Sequence, residues 1–317
     1  MDQIKHSHIE VTGLKLHIAE IGTGSRVVIF LHGFPEVWYT WRHQMVALSN
    51  AGFRAITPDF RGYGLSDQPI NPQTASFKDL VCDLLGIVDR LAISKAFLIA
   101  KDFGVRPAYL FALQHPERVA GVITVGIPYI PPAPSTFHTH LPEGFYISRW
   151  QETGRAEADF GRFDAKTVVR KIYTMFSRSE IPIAKENEEI MDLVGPETPL
   201  PSWFSEEDLA NYGSLYEKSG FQTALQLPYR SMNEEYDIPD PVLKIPLLTI
   251  MGEEDYFLKF PGIQDYINSG KLKEFAPESE IIFLPQGTHF AHEQLPQVVN
   301  KLILNFLCNH TRRLESN

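Results

Sequence analysis

Cysteine is scarce in this chain, which carries only Cys82 and Cys308 among its 317 residues. Both fall within helix-like apolar patterns, so we expect two buried free thiols and no disulfide. Such cysteine usage is typical of a protein that resides in a reducing compartment.

Long apolar runs and a leader-like N-terminus are also lacking. The longest apolar runs, such as Val27–Leu31, have strand length, whereas a membrane-spanning helix needs about 20 predominantly apolar residues. Residues 1–10 are polar and contain no apolar segment of the kind found in signal peptides. Together with the cysteine usage, these absences predict a cytosolic protein without a membrane span.

Positively charged residues are also few. The formal net charge is −10, from 29 Lys and Arg against 39 Asp and Glu, and no long basic run occurs. Nucleic acids are therefore excluded as expected partners, because their phosphates favour clustered Lys and Arg. Cofactor and metal motifs are also lacking: residues 22–24 predict a hairpin turn, and His138 and His140 predict a surface loop without a third ligand.

Strand-like and helix-like segments alternate through the first 125 residues. Residues 9–21 predict a hairpin around Thr12 and Gly13, and residues 76–91 show the apolar spacing of one amphipathic helix. Further strands are expected at residues 26–31, 54–58, 96–101, 119–125, 246–251 and 280–284. This alternation predicts an α/β fold with a mostly parallel central sheet flanked by helices.

The alternation stops at a proline-rich stretch and resumes only near residue 245. Breakers cluster at residues 126–134 and again at 236–241, and the chain between them has helix-like patterns with almost no strand signal. We therefore expect a core domain made of residues 1–128 and 245–317, and an inserted helical lid domain at 129–244. Such a lid would lie over the carboxyl ends of the strands, where open α/β sheets bind ligands.

An aspartate occupies the position where a hydrolase of this pattern usually carries a serine. Residues 96–104 predict an apolar strand that runs into a tight turn and a helix, with the small residues Ala100 and Gly104 two positions either side of Asp102. This arrangement is a nucleophile elbow, which exposes its central residue at the top of a sheet. An ionised carboxylate needs no base to act as a nucleophile, and it suits attack on the saturated carbon of an epoxide or an alkyl halide.

An ester formed on Asp102 must later be hydrolysed, which requires a base that activates water. His289 follows the last predicted strand, and Asp255 follows the strand before it, where it could orient the imidazole. The chain order of nucleophile, acid and histidine is the order found in α/β-hydrolases.

Several motifs together resemble the soluble epoxide hydrolases, in particular the stand-alone plant type, over nearly the whole chain. They are His32-Gly33-Phe34-Pro35, Arg61-Gly62-Tyr63-Gly64-Leu65-Ser66, the Asp102 elbow and Gly287-Thr288-His289. The resemblance implies an α/β-hydrolase fold with a helical lid. It also implies an enzyme that converts a small apolar epoxide and water into a vicinal diol without a cofactor.

The resemblance also implies roles for residues that no spacing rule identifies. Residues 145–154 and 227–230 are similar to the family segments that carry two lid tyrosines, here Tyr146 and Tyr229. Phenols can hydrogen-bond and protonate the epoxide oxygen as it leaves. The backbone N–H groups of Phe34 and Phe103 are expected to form the oxyanion hole, with a cis Phe34-Pro35 bond.

The residue before the nucleophile departs from the family, which often carries histidine there. Lys101 either pairs with Glu36, which follows Pro35, or turns to solvent with little consequence. His32 is expected to support the turn over the oxyanion hole, and it is not expected to act as a base.

The substrate pocket and two rival functions complete the expectations. Candidate pocket residues are Phe34, Phe103, Trp150, Gln151 and Leu227.

A haloalkane- or haloacid-type dehalogenase uses the same triad, but it commonly has a tryptophan directly after the nucleophile, and Phe103 offers no side-chain N–H. A non-catalytic binding protein on this scaffold would gain nothing from keeping all five catalytic residues. A monomer and a homodimer are equally compatible with the sequence.

Overall fold

The strands lie where apolar, β-branched runs occur in the sequence. The computed structural model describes residues 3–132 and 141–315, so His138 and His140 fall outside the described residues. The strands in the described part are β1 (Lys5–Val11), β2 (Leu14–Ile21), β3 (Val27–Leu31), β4 (Arg54–Pro58), β5 (Ala96–Lys101), β6 (Val119–Val125), β7 (Leu247–Gly252) and β8 (Ser279–Leu284).

These strands form one sheet in the order β1-β2-β4-β3-β5-β6-β7-β8. The predicted hairpin is present, with Lys5 opposite Glu20 and Val11 opposite Leu14. The β2 strand also pairs antiparallel with β4, whereas all pairs from β4 to β8 are parallel. The predicted fold class, a mostly parallel α/β sheet, is therefore confirmed.

Helices cover the sheet and begin where the sequence supplies caps. In α2, the Ser76 hydroxyl accepts from the Asp79 N–H at 3.3 Å, and the Asp79 carboxylate accepts from the Ser76 N–H at 2.9 Å. The helices outside residues 129–244 are α1 (Arg42–Asn50), α2 (Phe77–Arg90), α3 (Val105–Gln114), α9 (Ile263–Asn268), α10 (Lys271–Phe275), α11 (Ala291–Gln294) and α12 (Pro296–Glu315).

The described residues between β6 and β7 contain helices and turns but no strand. The helices there are α4 (Tyr146–Gln151), α5 (Arg155–Phe160), α6 (Ala165–Phe176), α7 (Glu206–Ser219) and α8 (Gln222–Leu225). A π-helical turn, Gln226–Arg230, follows α8 directly. Such turns widen a helix locally and recur at functional sites.

The central strands β3, β5 and β7 are buried along their whole length, because helices cover both faces of the sheet. Parallel neighbours bring their carboxyl ends to one edge of a sheet. His32 follows β3, Asp102 follows β5, and Asp255 comes shortly after β7. The sheet itself therefore gathers the candidate catalytic residues.

Both cysteines are free, as expected, but both are exposed, so the prediction of buried thiols is wrong. In α2 the residues at helical spacing, such as Val81 and Leu84, face the core, and the helix turns Cys82 outward. Cys308 is turned outward in α12 in the same way. None of the described helices combines the length and the hydropathy that a membrane span requires.

Candidate active site

Asp102 sits in a strained turn at the end of β5. Its φ is +49°, in the left-handed region that non-glycine residues rarely adopt, and its side chain is buried. The turn requires close backbone approach, because a Cβ at Gly104 would lie 2.3 Å from the His32 carbonyl oxygen. A Cβ at Gly33 would likewise lie 2.4 Å from the Cβ of Asp102. These glycines let the loop after β3 close against the elbow.

The two oxygens of Asp102 face different partners. The Phe34 N–H donates to Oδ1 at 2.9 Å, and the Phe103 N–H also bonds to the carboxylate. Oδ2 lies 3.3 Å from Nε2 of His289. The Phe34-Pro35 bond is cis, as the resemblance implied. Oδ1 is thus held by the Phe34 N–H, while Oδ2 faces the imidazole.

His289 lies between two carboxylates. Its Nδ1 is 3.0 Å from Oδ1 and 3.2 Å from Oδ2 of Asp255, so this nitrogen carries a proton and Nε2 faces Asp102. The Phe257 N–H holds Asp255 Oδ1 from the other side at 3.0 Å. All three triad side chains are buried.

Burial and neighbouring charges shift the pKa values of this triad in opposite directions. Burial raises the pKa of Asp102, but contacts with His289 and Lys101 and the Phe103 N–H outweigh it and hold that pKa below its ordinary value. Burial and Lys101 lower the pKa of His289, yet Asp255 and Asp102 together bring it above its ordinary value. The free protein therefore favours an ionised nucleophile beside a readily protonated imidazole.

His32 has the supporting position expected of it. Its Nδ1 donates to the Gly33 carbonyl at 2.9 Å, and its Nε2 accepts from the Phe60 N–H at 3.0 Å. Burial lowers the pKa of His32, which fits a neutral ring in this pair of bonds. Both ring nitrogens are therefore engaged in bracing the loop beside the elbow.

Lys101 forms the ion pair that was one of its two predicted alternatives. Its Nζ lies 3.0 Å from Oε1 of Glu36, and both side chains are fully buried. The ammonium also lies over the ring of Phe290, 4.6 Å from its centroid. Burial raises the pKa of Glu36, and the charge of Lys101 opposes that rise. The solvent-facing alternative for Lys101 is wrong.

A cluster of ligand-type groups lies behind this ion pair. One ligand atom from each of Glu36, His292 and Glu293 lies within 4.8 Å of the others. Lys101 pairs with Glu36, and Arg42 pairs with Glu293. Because these cations already balance the carboxylates, we assign no metal to the cluster.

The two predicted lid tyrosines meet above the elbow. Tyr146 begins α4, Tyr229 lies on the π-helical turn, and their ring centroids are 6.1 Å apart. Both rings are buried, and Tyr229 packs edge-on against Phe34 and Phe103. Burial raises the pKa of both phenols far above their ordinary range, and the nearby charge of Asp102 raises it further. Both phenols are therefore protonated donors at neutral pH.

Asp102, Tyr146 and His289 open onto a cavity of about 390 Å³. Its largely apolar wall comes from α3, from the stretch after β6 and from residues 256–266, and it includes Leu110, Leu113, Ile127, Pro128, Ile130 and Ile263. A cavity with few polar groups beside a reactive carboxylate suits a mostly apolar small molecule.

The lining of this cavity differs from the predicted pocket. Of the five candidates, Phe103 alone lines it among the described residues. Phe34 and Trp150 instead pack edge-on against Tyr229 and support that ring from behind. Gln151 lines a separate polar depression together with Tyr229, and Leu227 lines a small recess with Phe103. Tertiary packing sets the direction of the side chains in the inserted segment, and the local sequence does not specify that packing.

Sequence reasoning missed Tyr256. Its ring centroid lies 4.8 Å from that of His289, and the residue lines the cavity with Asp102 and Tyr146. The available signal was its position directly after Asp255, where an aromatic side chain could reach the imidazole.

Comparisons with known proteins agree with this geometry. A family model described as the alpha/beta hydrolase fold matches residues 26–295. Epoxide hydrolase 3 from Siraitia grosvenorii is 36% identical over 317 aligned residues, which cover 97% of this chain and 99% of that protein. The chain belongs to the epoxide hydrolases of the α/β-hydrolase superfamily.

Solved structures place this epoxide hydrolase with plant enzymes. A crystal structure of an epoxide hydrolase from Vigna radiata superposes with a TM-score of 0.90 at 34% identity, covering 98% of this chain and 99% of that one. A laboratory-evolved variant of a potato epoxide hydrolase has a TM-score of 0.87 at 31% identity, covering 96% and 99%. The resemblance to the stand-alone plant type is therefore confirmed.

Proposed function

We propose that this chain converts a small apolar epoxide and water into a vicinal diol through a covalent ester on Asp102. The observation that supports the proposal is that the two oxygens of this carboxylate have different partners. Oδ1 is held by the Phe34 N–H, while Oδ2 faces the His289–Asp255 pair and the apolar cavity.

Ester formation comes first. Oδ2 of Asp102 attacks one epoxide carbon, the carbon–oxygen bond of the ring breaks, and the departing oxygen takes a proton from Tyr146 or Tyr229. The low pKa of Asp102 keeps the nucleophile ionised, and buried phenols supply both hydrogen bonds and the proton.

Ester hydrolysis follows. His289, oriented by Asp255, takes a proton from water, and the resulting hydroxide attacks the carbonyl carbon of the Asp102 ester. The oxyanion develops on Oδ1, which already accepts from the Phe34 N–H, and the Phe103 N–H also bonds to this carboxylate. Collapse breaks the bond between the carbonyl carbon and Oδ2, and His289 returns its proton to that oxygen, which completes the diol. The acid left on Asp102 then loses its proton, which restores the phenol.

We further propose that residues 129–244 form a lid domain over a core made of residues 1–128 and 245–317. The helical character of the described part of this segment supports the division. Tyr146 and Tyr229, which both belong to it, lie beside Asp102 and Phe103 of the core. We also expect a cytosolic location, which fractionation of cells expressing the tagged chain would test.

Replacement of Asp102 by asparagine tests the function. We expect Asp102→Asn to abolish diol formation while preserving affinity for an epoxide or for the diol, measured by quenching of intrinsic fluorescence. A parent protein that binds epoxides without turning them over would show instead that the chain is a binding protein. Alkyl halides offered in parallel should release no halide, since Phe103 provides no side-chain N–H beside the nucleophile.

A further inference from the structure

Tyr256 is a third phenol at the reacting centre. It begins the short helical turn Tyr256–Lys259, directly after Asp255. Its side chain is buried and lines the same cavity as Asp102 and Tyr146. The mechanism proposed above gives this phenol no task, although its position brings it close to the groups that react.

Ring contacts hold Tyr256 in one orientation. Its ring stacks on Phe176 with centroids 5.3 Å apart and an angle of 26° between the planes. It also lies against His289, at 4.8 Å, and meets Tyr146 edge-on at 6.3 Å. With its faces and edge packed, the ring leaves only the direction of its O–H to adjust.

The hydroxyls of Tyr256 and Tyr146 are hydrogen-bond partners, and the two rings meet edge-on. This bond lowers the pKa of Tyr146, against the larger rise that burial causes. When Tyr256 donates in this pair, the proton of Tyr146 can point into the cavity that Tyr146 and Asp102 both line. The arrangement orients the donor that the epoxide oxygen needs.

We propose that Tyr256 is a positioning residue that makes Tyr146 the stronger acid of the two lid tyrosines. The inference rests on the proposed function, in which a lid phenol protonates the leaving oxygen. When the proton moves from Tyr146 to that oxygen, a phenolate remains in a buried site, where an unpaired charge is costly. The Tyr256 hydroxyl stabilises this phenolate until ester hydrolysis returns the proton.

The test is Tyr256→Phe, which keeps the ring packed on Phe176 and His289 and removes only the hydroxyl. Single-turnover experiments with styrene oxide as the probe would measure ester formation and ester hydrolysis separately. We expect ester formation to slow by about 10- to 100-fold, the size of a hydrogen bond to a charged group, with ester hydrolysis unchanged. Tyr236→Phe is the matched control, because it also removes one partly buried phenol hydroxyl, which bonds the Glu234 carboxylate at 2.8 Å, and Tyr236 does not line the cavity.

A double mutant separates this inference from the proposed function. In a Tyr146→Phe protein, adding Tyr256→Phe should cost nothing more, because the bond has already lost its acceptor. Equal slowing of both half-reactions by Tyr256→Phe, or an additive loss in the double mutant, would overturn the positioning role. If Tyr146→Phe slows ester formation and Tyr256→Phe does not, this inference alone fails. If Tyr146→Phe changes nothing, the acid role of Tyr146 fails with it, and Tyr229 is left as the proton donor of the proposed function.

Discussion

The sheet edge and the inserted segment contribute to the site in different ways. Asp102, Asp255 and His289 come from loops after β5, β7 and β8, so the parallel sheet places them. Tyr146 and Tyr229 come from a short helix and a π-helical turn, and the packing of aromatic rings places them. In the proposed mechanism, the first group makes and breaks the covalent bond, while the second hydrogen-bonds and protonates the leaving oxygen.

This difference predicts which half-reaction each region controls. A defect at the sheet edge that spares Asp102 should stop hydrolysis of the ester, because the proposed mechanism assigns the activation of water to His289 and Asp255. A defect in the inserted segment should slow formation of the ester, since the phenols act on the epoxide oxygen. Variants at the sheet edge and variants in the inserted segment should therefore block different half-reactions.

The largest effect is expected for His289→Gln. Loss of the base should lower steady-state turnover by about 10⁴-fold, while Asp102 still attacks the epoxide. Intact-protein mass spectrometry should then show the chain carrying the mass of one substrate molecule. His292→Gln is the comparison, because His292 is also buried but lies behind Glu36, with its Nε2 3.7 Å from that carboxylate. Absence of any adduct in His289→Gln would show that the imidazole is needed for ester formation as well.

A smaller effect on the opposite half-reaction is expected for Tyr229→Phe. The ring remains packed on Phe34 and Phe103, but one of two donors to the leaving oxygen is lost. Ester formation should slow by about 10- to 100-fold, as followed by rapid quench. Tyr236→Phe, which removes a phenol that bonds Glu234 at 2.8 Å, is the control. An unchanged rate for Tyr229→Phe would remove this tyrosine from the mechanism.

The smallest effect concerns the pH dependence set by Lys101. Its charge lowers the pKa of His289, so Lys101→Met should raise that pKa. Ester hydrolysis needs neutral His289 and is lost as pH falls through this pKa. The acid limb of the pH–rate profile for ester hydrolysis should therefore move to higher pH. Lys101→Arg keeps the charge and should leave the limb in place, and coincident profiles for all three proteins would show that Lys101 does not reach the imidazole.

Sequence reasoning succeeds where local rules decide the structure. The hairpin at Thr12 and Gly13 and the α2 helix capped by Ser76 follow from period and capping alone. The elbow at Asp102 follows from small residues at fixed spacing, and its positive φ shows why those residues are small. The prediction that Cys82 is buried is wrong, because an apolar helix also has an outward face. The residue type alone does not show which face a cysteine occupies.

Long-range packing explains what the sequence does not predict. Lys101 could face solvent or pair with Glu36, and only the closure of the loop after β3 decides between them. Trp150 and Leu227 belong to the predicted aromatic and apolar segments, yet they support Tyr229 or line a recess apart from the main cavity. Tyr256 escaped notice because no motif contains it.

One isotope experiment tests the covalent route most directly. The enzyme, in excess over a styrene oxide probe, would complete a single turnover in ¹⁸O-labelled water, and the peptide containing Asp102 and the diol would be analysed by mass spectrometry. The account predicts label in the carboxylate of Asp102 and an unlabelled diol. Label in the diol with an unlabelled Asp102 would contradict it, because water would then have attacked the epoxide carbon itself.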